Sequence, residues 1–109
     1  MGRHHLGEFE QIVLVTVVRF RGKAYGVPIR KKVSELTGKD VSVGAVYTTL
    51  DRLEEKGLVV SHRGDPTPER GGRAKRFFKI TAPGLRALEE AREVKQRVWS
   101  GFRPSGTLV

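Results

Sequence analysis

The fold is decided by residues 42–58, which read SVGAVYTTLDRLEEKGL. Ser42 is a favoured residue at the start of a helix, because its hydroxyl can accept a hydrogen bond from an amide of the first turn. Apolar residues then recur three or four positions apart, the spacing of one buried helix face: Val43, Val46, Leu50 and Leu53. Gly57 ends the pattern. These features predict a helix, the third in the chain, with its apolar residues directed inward.

The opposite side of this helix carries small and hydroxyl-bearing residues rather than the Lys and Glu that are common on solvated helices. A helical wheel assigns to it Gly44, Ala45, Thr48, Thr49 and Arg52. Small side chains allow a helix to enter a DNA groove closely, and threonine hydroxyls can bond to base edges or phosphate. The Ala45 methyl group can contact a thymine methyl group, and Arg52 can pair with guanine or phosphate. We interpret this side as a DNA-recognition surface; the alternative is an ordinary solvated face.

Two short strands are predicted after this helix, at residues 58–63 and 75–80, with a Gly- and Pro-rich connection between them. The resulting hairpin concentrates positive charge, which suits contact with flanking phosphates. The residues expected to make that contact are Arg63, Arg70, Arg73 and Lys75. Two helices followed by such a hairpin predict a mainly α, winged helix-turn-helix fold. A flexible solubilising loop is the alternative for the hairpin tip.

A fourth helix is predicted after Thr81, whose hydroxyl suits a helix start. Its broad apolar stripe lies among many charges and consists of Leu85, Leu88, Ala91, Val94, Val98 and Phe102. The chain is therefore expected to have a flexible N-terminus at 1–5 and a winged helix-turn-helix DNA-binding domain at 6–81. A C-terminal dimerisation helix at 82–102 and a flexible tail at 103–109 are expected to follow.

Two helices are also predicted upstream, at Leu6–Phe20 and Val27–Thr37. The first is apolar almost all round, and one small domain has little core with which to cover it. A second copy of the same chain is the simplest source of cover, so the sequence predicts a homodimer. The residues expected at the dimer interface or an effector pocket are Phe9, Val13, Val17, Leu88, Ala91, Val94, Val98 and Trp99.

The charge balance favours a polyanionic partner. Lys and Arg number 21 against 12 Asp and Glu, which gives a net charge of +9 and a pI near 10.5. There is no cysteine, which suits a reducing compartment. The longest apolar run, residues 12–18, is far shorter than the roughly 20 residues that span a bilayer. We therefore expect a cytoplasmic protein without a membrane partner.

Catalytic and metal-binding signatures are missing from the sequence. It contains no P-loop, no His-Glu-x-x-His zinc helix and no Gly-x-Ser-x-Gly elbow. His4 and His5 are adjacent and His62 is solitary, which is poor spacing for metal ligands. We therefore expect no enzyme activity, no cofactor and no metal.

Taken together, the motifs resemble the PadR family of bacterial transcriptional regulators from residue 6 to about residue 88. The resemblance rests on LGEFE at 6–10, AYGVPI at 24–29, the segment 42–58, GGRAKRFF at 71–78 and TAPG at 81–84. It implies a dimeric repressor that binds double-stranded DNA at an inverted-repeat operator. It also implies release of that operator by a small-molecule effector.

By position, the resemblance implies DNA backbone and base contacts for Ser42 and Tyr47 and wing contacts for Arg73 and Lys75. Tyr25, at the start of the second helix, either donates its hydroxyl to phosphate or packs.

The resemblance also bears on the dimer and its ligand. The sequence ends after one C-terminal helix, whereas longer members have a separate helical domain, so helices one and four are expected to form the interface. Some short relatives hold aromatic drugs between their subunits against a tryptophan of the last helix, but that tryptophan aligns with Lys95 here. Trp99 lies one turn later and is expected to anchor the interface. A small hydrophobic or aromatic effector is expected on the same basis.

Three other functions stay open from the sequence. A winged-helix module that binds an acidic protein would tolerate Thr48→Ala. A nonspecific nucleoid or RNA-binding protein would bind any duplex equally, although the hairpin shows no obvious aromatic stacking platform. A small enzyme is the third alternative. No sequence motif supports it, and turnover of a substrate would be needed to establish it.

Overall fold

The computed structural model describes residues 5–64 and 75–103. The elements in this part of the chain are α1 Glu8–Arg19, α2 Gly26–Thr37, α3 Val43–Glu55, β1 Val59–Arg63, β2 Arg76–Ile80 and α4 Ala82–Trp99. This order confirms the predicted mainly helical fold with a two-stranded hairpin. Arg70 and Arg73, both predicted to bind DNA, lie outside the described residues, as do residues 1–4 and 104–109 of the predicted flexible ends.

The observed helix ends follow local backbone chemistry. Helix α1 begins at Glu8 rather than Leu6, because Gly7 is extended and donates its N–H to the Glu10 carboxylate at 2.9 Å. Helix α2 ends at Thr37, and Gly38 follows in the left-handed conformation with φ of 71°. Helix α3 begins after Ser42, whose hydroxyl accepts the Ala45 N–H at 3.0 Å. The predicted starts and ends of these helices are therefore correct to within two residues.

The core lies where α1, α2 and α3 meet the hairpin. Its fully buried side chains include Leu14, Ile29, Leu50, Leu53 and Phe78. Val13 and Val17 of α1 also belong to it, with exposures of 0% and 1%. The prediction that these two valines line a dimer interface is therefore wrong, because they are directed into the chain's own core. The side of α1 that carries Val15 and Val18 is exposed to solvent.

The hairpin is antiparallel and pairs Val59 with Ile80 and Arg63 with Arg76. A short extended segment before α2 adds to it, since the Phe78 N–H donates to the Ala24 carbonyl at 2.8 Å. Alternate side chains point to opposite faces of a strand. Val59 and Phe78 accordingly face the core, while His62 and Phe77, which are paired in the register, lie on the outer face.

Helix α4 starts against the turn that follows α3. The Thr81 hydroxyl donates to the Gly57 carbonyl at 2.7 Å and accepts the Gly84 N–H at 3.0 Å. The helix then packs against α1, and the Lys95 ammonium lies 3.8 Å from the Glu8 carboxylate. Among the described residues, no helix combines the length and apolar character needed to cross a membrane.

A partly buried ion pair joins the start of α1 to the end of α3. Lys56 Nζ lies 3.1 and 3.0 Å from the two Glu10 carboxylate oxygens and also donates to the His5 carbonyl at 3.0 Å. Burial by itself raises the pKa of Glu10. The hydrogen bonds from the Gly7 amide and the Lys56 ammonium outweigh it, with a further contribution from the nearby Arg52 charge, so the pKa of Glu10 lies below its ordinary value.

We expect Glu10→Gln to lower the free energy of unfolding at pH 7 by about 1 to 3 kcal/mol, because a charge-assisted hydrogen bond pair is lost. Since the folded-state pKa is depressed, the carboxylate stabilises the fold above the unfolded value of about 4.3. That stabilisation is lost as the pH falls through the folded pKa. Urea unfolding of both proteins from pH 7 to pH 3 measures the difference. A gap between wild type and Glu10→Gln that stays constant over this range would contradict the assignment.

Candidate nucleic-acid interface

The outer side of α3 carries only small, uncharged residues through its first two turns. Gly44, Ala45 and Thr48 are exposed, and Arg52 is exposed one turn further on. The Arg52 guanidinium lies close enough to the Glu10 carboxyl group to lower its pKa. Arg52 is therefore at the end of this surface that is nearer to the start of α1. We call the surface formed by Gly44, Ala45, Thr48 and Arg52 the α3 face.

Two side chains of α3 lie elsewhere than the helical wheel predicts. Thr49 is only 5% exposed, so its predicted role on the DNA-reading side is wrong. It stands three residues after Val46 and four before Leu53, and this spacing places it within the buried arc. Val43, expected to face inward, is 37% exposed because it is the first residue of the helix, where few neighbouring side chains cover it.

Tyr47 is half-buried between α2 and the sheet. Its ring is tilted against Phe78, with 6.4 Å between centroids, and its hydroxyl end lies over Gly26. A Cβ atom at Gly26 would overlap the Tyr47 ring, so the close approach of the two helices requires glycine there. Tyr47 therefore packs α3 onto the start of α2, whereas Ser42, which precedes it, is exposed at the helix N-cap.

Arg76 of β2 forms ion pairs with two acidic side chains of α3. Its guanidinium donates to Asp51 Oδ1 at 3.1 Å, to Glu54 Oε1 at 2.6 Å and to the Ser61 hydroxyl at 3.3 Å. It also lies 4.8 Å above the Phe78 ring. Burial by itself lowers the pKa of Arg76. The hydrogen bonds and charges of the two carboxylates outweigh this effect, so the pKa of Arg76 lies above its ordinary value and the side chain stays cationic. The carboxylates beside the α3 face are thus paired within the protein, which reduces their repulsion of phosphate.

Sequence reasoning missed the role of Arg76. The only available signal was its place at the start of a strand, and its carboxylate partners are 25 and 22 residues distant along the chain. The pairing depends on how the hairpin packs against α3, which periodicity does not specify.

The hairpin carries exposed cations and, toward its loop end, an aromatic row. Arg63, Lys75 and Lys79 are exposed. Across the outer face, the His62 ring stacks on Phe77 at 5.7 Å, and Phe77 meets Tyr25 edge-on at 5.5 Å. The predicted contact Lys75 is placed 4.6 Å above the Tyr25 ring. The structure thus brings Tyr25 and Lys75 together, a proximity that the sequence analysis did not foresee.

A second surface lies along α1 and α4. Several of its apolar side chains are strongly exposed, among them Val15, Leu85, Val94, Val98, Trp99 and Phe102. Phe9, Leu88 and Ala91 are partly buried against the core of the same chain. Trp99 meets Phe102 edge-on at 5.1 Å. We call this surface, defined by the six exposed residues, the α1/α4 face.

An open groove beside α4 is lined in part by Gln11, Val15, Leu88 and Lys95. Glu89 and Arg92 line it as well as Lys95, so the groove is partly charged. In the part of the chain that the structure describes, no three His, Cys, Asp or Glu side chains cluster as metal ligands would.

Comparison with known proteins agrees with this architecture. Residues 13–90 match the model of the Transcriptional regulator PadR-like family. A segment of 61 residues is 39% identical to Transcriptional regulator Rv3488 of Mycobacterium tuberculosis, covering 56% of this chain and 53% of that protein. The chain thus spans about half the length of this curated relative.

Solved structures share the fold. RosR of H. salinarum superposes with a TM-score of 0.72 at 23% identity, covering 94% of this chain and 86% of that one. A PadR family transcriptional regulator from Eggerthella lenta superposes with a TM-score of 0.67 at 24% identity, covering 84% and 77%. The family match extends over most of the chain, including all of α2, α3 and the hairpin. The chain therefore belongs to the PadR-like family of transcriptional regulators.

Proposed function

We propose that this chain is a homodimeric repressor that reads an inverted-repeat DNA operator with α3 and contacts the flanking backbone with its hairpin. The observation that carries the proposal is the α3 face. Gly44, Ala45 and Thr48 are small, exposed residues, so the helix backbone can come close to base edges. Because Arg76 holds Asp51 and Glu54, the electrostatic cost of bringing phosphates near this helix is reduced.

Base reading and phosphate binding are assigned to different side chains in this proposal. Thr48 donates or accepts a hydrogen bond at a base edge, and Ala45 contacts a thymine methyl group. Ser42 and Gly44 allow the start of α3 to approach the groove, and Arg52 binds phosphate or guanine at its other end. Arg63 and Lys75 of the hairpin, with Arg70 and Arg73 as further candidates, bind phosphate without reading sequence.

The α1/α4 face supports the dimer. Trp99 and Val98 are 58% and 70% exposed, and large apolar groups so close together favour burial against a partner. A two-fold dimer would direct two copies of α3 into successive major grooves, about 34 Å apart. Bound DNA would then be closed to the transcription machinery.

Regulation by an effector would act through this same dimer contact. The groove beside α4 offers Val15 and Leu88 as apolar contacts for a small hydrophobic or aromatic molecule. Differential binding of about 1 to 3 kcal/mol is enough to shift the spacing of the two α3 helices and release the operator. Lys95 lines the groove where the resemblance places a ligand-stacking tryptophan, so stacking by that residue is not part of the proposal.

The assignment of roles is tested with a matched pair of exposed substitutions. Thr48→Ala is expected to change the cost of one base-pair substitution in the operator by about 1 kcal/mol. Arg63→Gln is expected to weaken binding to all duplexes equally and to reduce the salt slope by about one. Fluorescence anisotropy on a set of single-substitution duplexes measures both. Indistinguishable profiles for the two variants would contradict the division between base reading and phosphate binding.

The strongest competing function is nonspecific nucleic-acid binding, which the net charge of +9 favours. It predicts that Thr48→Ala has no effect on the preference between duplexes.

A further inference from the structure

The aromatic row of His62, Phe77 and Tyr25, at the loop end of the hairpin, has no place in the proposed assignment of DNA contacts. Tyr25 lies at the N-cap of α2, but its side chain makes no capping hydrogen bond there. Its ring is instead occupied on two sides, by the edge-on contact with Phe77 and by the Lys75 ammonium above it. The ring therefore links the start of α2 to the end of the hairpin.

Backbone contacts hold this arrangement in register. Ala24, the residue before Tyr25, bridges to Phe78, the residue after Phe77. The Gly64 N–H donates to the Lys75 carbonyl at 2.8 Å, which continues the hairpin ladder to the position of the lysine. Gly64 also has no room for a side chain, because a Cβ atom there would press against the Phe77 ring. Phe77 is consequently enclosed by Gly64, His62 and Tyr25.

A lysine is a flexible side chain, and fixing its position for a ligand costs conformational entropy. A ring beneath the ammonium reduces that cost, because a cation over an exposed aromatic face is stabilised by about 0.5 to 1 kcal/mol. The ammonium remains on the solvent side of the ring, since Lys75 is exposed. It is thus held in place and still available to an anion.

We propose that Tyr25 and Phe77 are positioning residues: their rings hold the Lys75 ammonium in place for a backbone phosphate of bound DNA. This proposal rests on the proposed function and changes the role of Tyr25, from a hydroxyl that bonds phosphate to a ring that orders a neighbouring cation. The ring, and not the hydroxyl, is the part of Tyr25 that matters for DNA binding.

A double-mutant cycle on one operator duplex tests the proposal. Tyr25→Leu is expected to weaken binding about two- to fivefold, the equivalent of the cation–ring stabilisation. Lys75→Met is expected to weaken it as well and to reduce the salt slope by about one. In the Lys75→Met protein, adding Tyr25→Leu is expected to cause no further loss. Tyr25→Phe, the matched control, keeps the ring and is expected to bind as the wild type does.

Three results would overturn the proposal. Tyr25→Phe binding as weakly as Tyr25→Leu would assign the effect to the hydroxyl. Losses that add in the double variant would make the two side chains independent. Tyr25→Leu binding as tightly as wild type would show that the ring is dispensable. Phe77→Leu provides a second route to the same disturbance, and thermal unfolding of each variant verifies that it is folded.

A measurement on the free protein separates this proposal from the proposed function. Ring currents of Tyr25 should shift the NMR signals of the Lys75 side-chain methylene protons next to the ammonium. We expect this shift to persist in Tyr25→Phe and to disappear in Tyr25→Leu. Absence of the shift in wild type would overturn the positioning role even if the protein binds its operator. Wild-type protein that shows the shift but binds no duplex would instead overturn the proposed function.

Discussion

Replacing Gly84 with alanine is expected to lower the free energy of unfolding by about 3 kcal/mol, as overpacking of a filled site does. A Cβ atom at this position would overlap the Leu58 carbonyl oxygen and press on the Ile80 side chain. The oxygen is backbone and is fixed, because it accepts the Thr81 N–H at 3.0 Å. The start of α4 would have to move away from the turn after α3. Urea unfolding monitored by circular dichroism measures the loss.

Gly44→Ala is a matched control for this substitution. Gly44, like Gly84, lies in the first turn of a helix, but the nearest atom to an added Cβ is the Ser42 hydroxyl at 4.0 Å. Alanine is the better helix former, so this variant is expected to be more stable than wild type by up to about 1 kcal/mol. Equal effects of the two substitutions on stability would contradict the tight packing of α4 against the Leu58 turn.

The second large effect is expected at the end of α4. Val98→Asp combined with Trp99→Asp should convert the protein to a monomer at micromolar concentration, because charged groups would replace the most exposed part of the α1/α4 face. A monomer engages one half-site at a time and loses the gain from linking two sites, about a hundredfold or more in affinity. Sedimentation velocity measures the oligomeric state, and anisotropy on the same sample measures DNA affinity.

Gln96→Asp with Ser100→Asp is the control for this double variant. Both positions are exposed and polar, and they flank the same last turn of α4. This control adds the same charge and should remain dimeric. Wild-type protein that sediments as a monomer would contradict the dimer itself. A dimer that survives the Val98 and Trp99 substitutions would place the interface elsewhere.

The sequence predicted the elements well, because the signals for them are local. The Ser42 N-cap, the Gly38 stop and the apolar spacing in α3 are each encoded within a few residues, and each matches the observed helix ends. The basic hairpin was likewise predictable, from its Lys and Arg content and from its position directly after α3.

The predictions from sequence were wrong where the burial of a side chain depends on tertiary packing. Val13 and Val15 are both valines of an all-round apolar helix, yet one is fully buried and the other is 39% exposed. Which side of α1 faces inward depends on where α2 and α3 dock, and periodicity does not show this when every side is apolar. The helical wheel grouped Thr49 with the DNA-facing residues, but Thr49 lies beside Val46 and Leu53 on the helix and is buried with them.

The side chains that support the candidate site were the least predictable. Arg76 meets Asp51 and Glu54, and Lys75 meets Tyr25, across separations of tens of residues. A sequence shows that such charges and rings are present. It does not show which of them are paired, because the pairing follows from the contact between α3, the hairpin and the start of α2.

The most direct test of the central claim is selection of duplexes from a random DNA library by the purified wild-type protein, followed by anisotropy on the selected and shuffled duplexes across a salt series. We predict enrichment of an inverted repeat whose half-sites lie about 10 base pairs apart. We also predict a preference of roughly a thousandfold or more over the shuffled duplex. No enriched sequence, with equal and steeply salt-dependent affinity for every duplex, would contradict a sequence-reading dimer and leave a nonspecific nucleic-acid-binding protein.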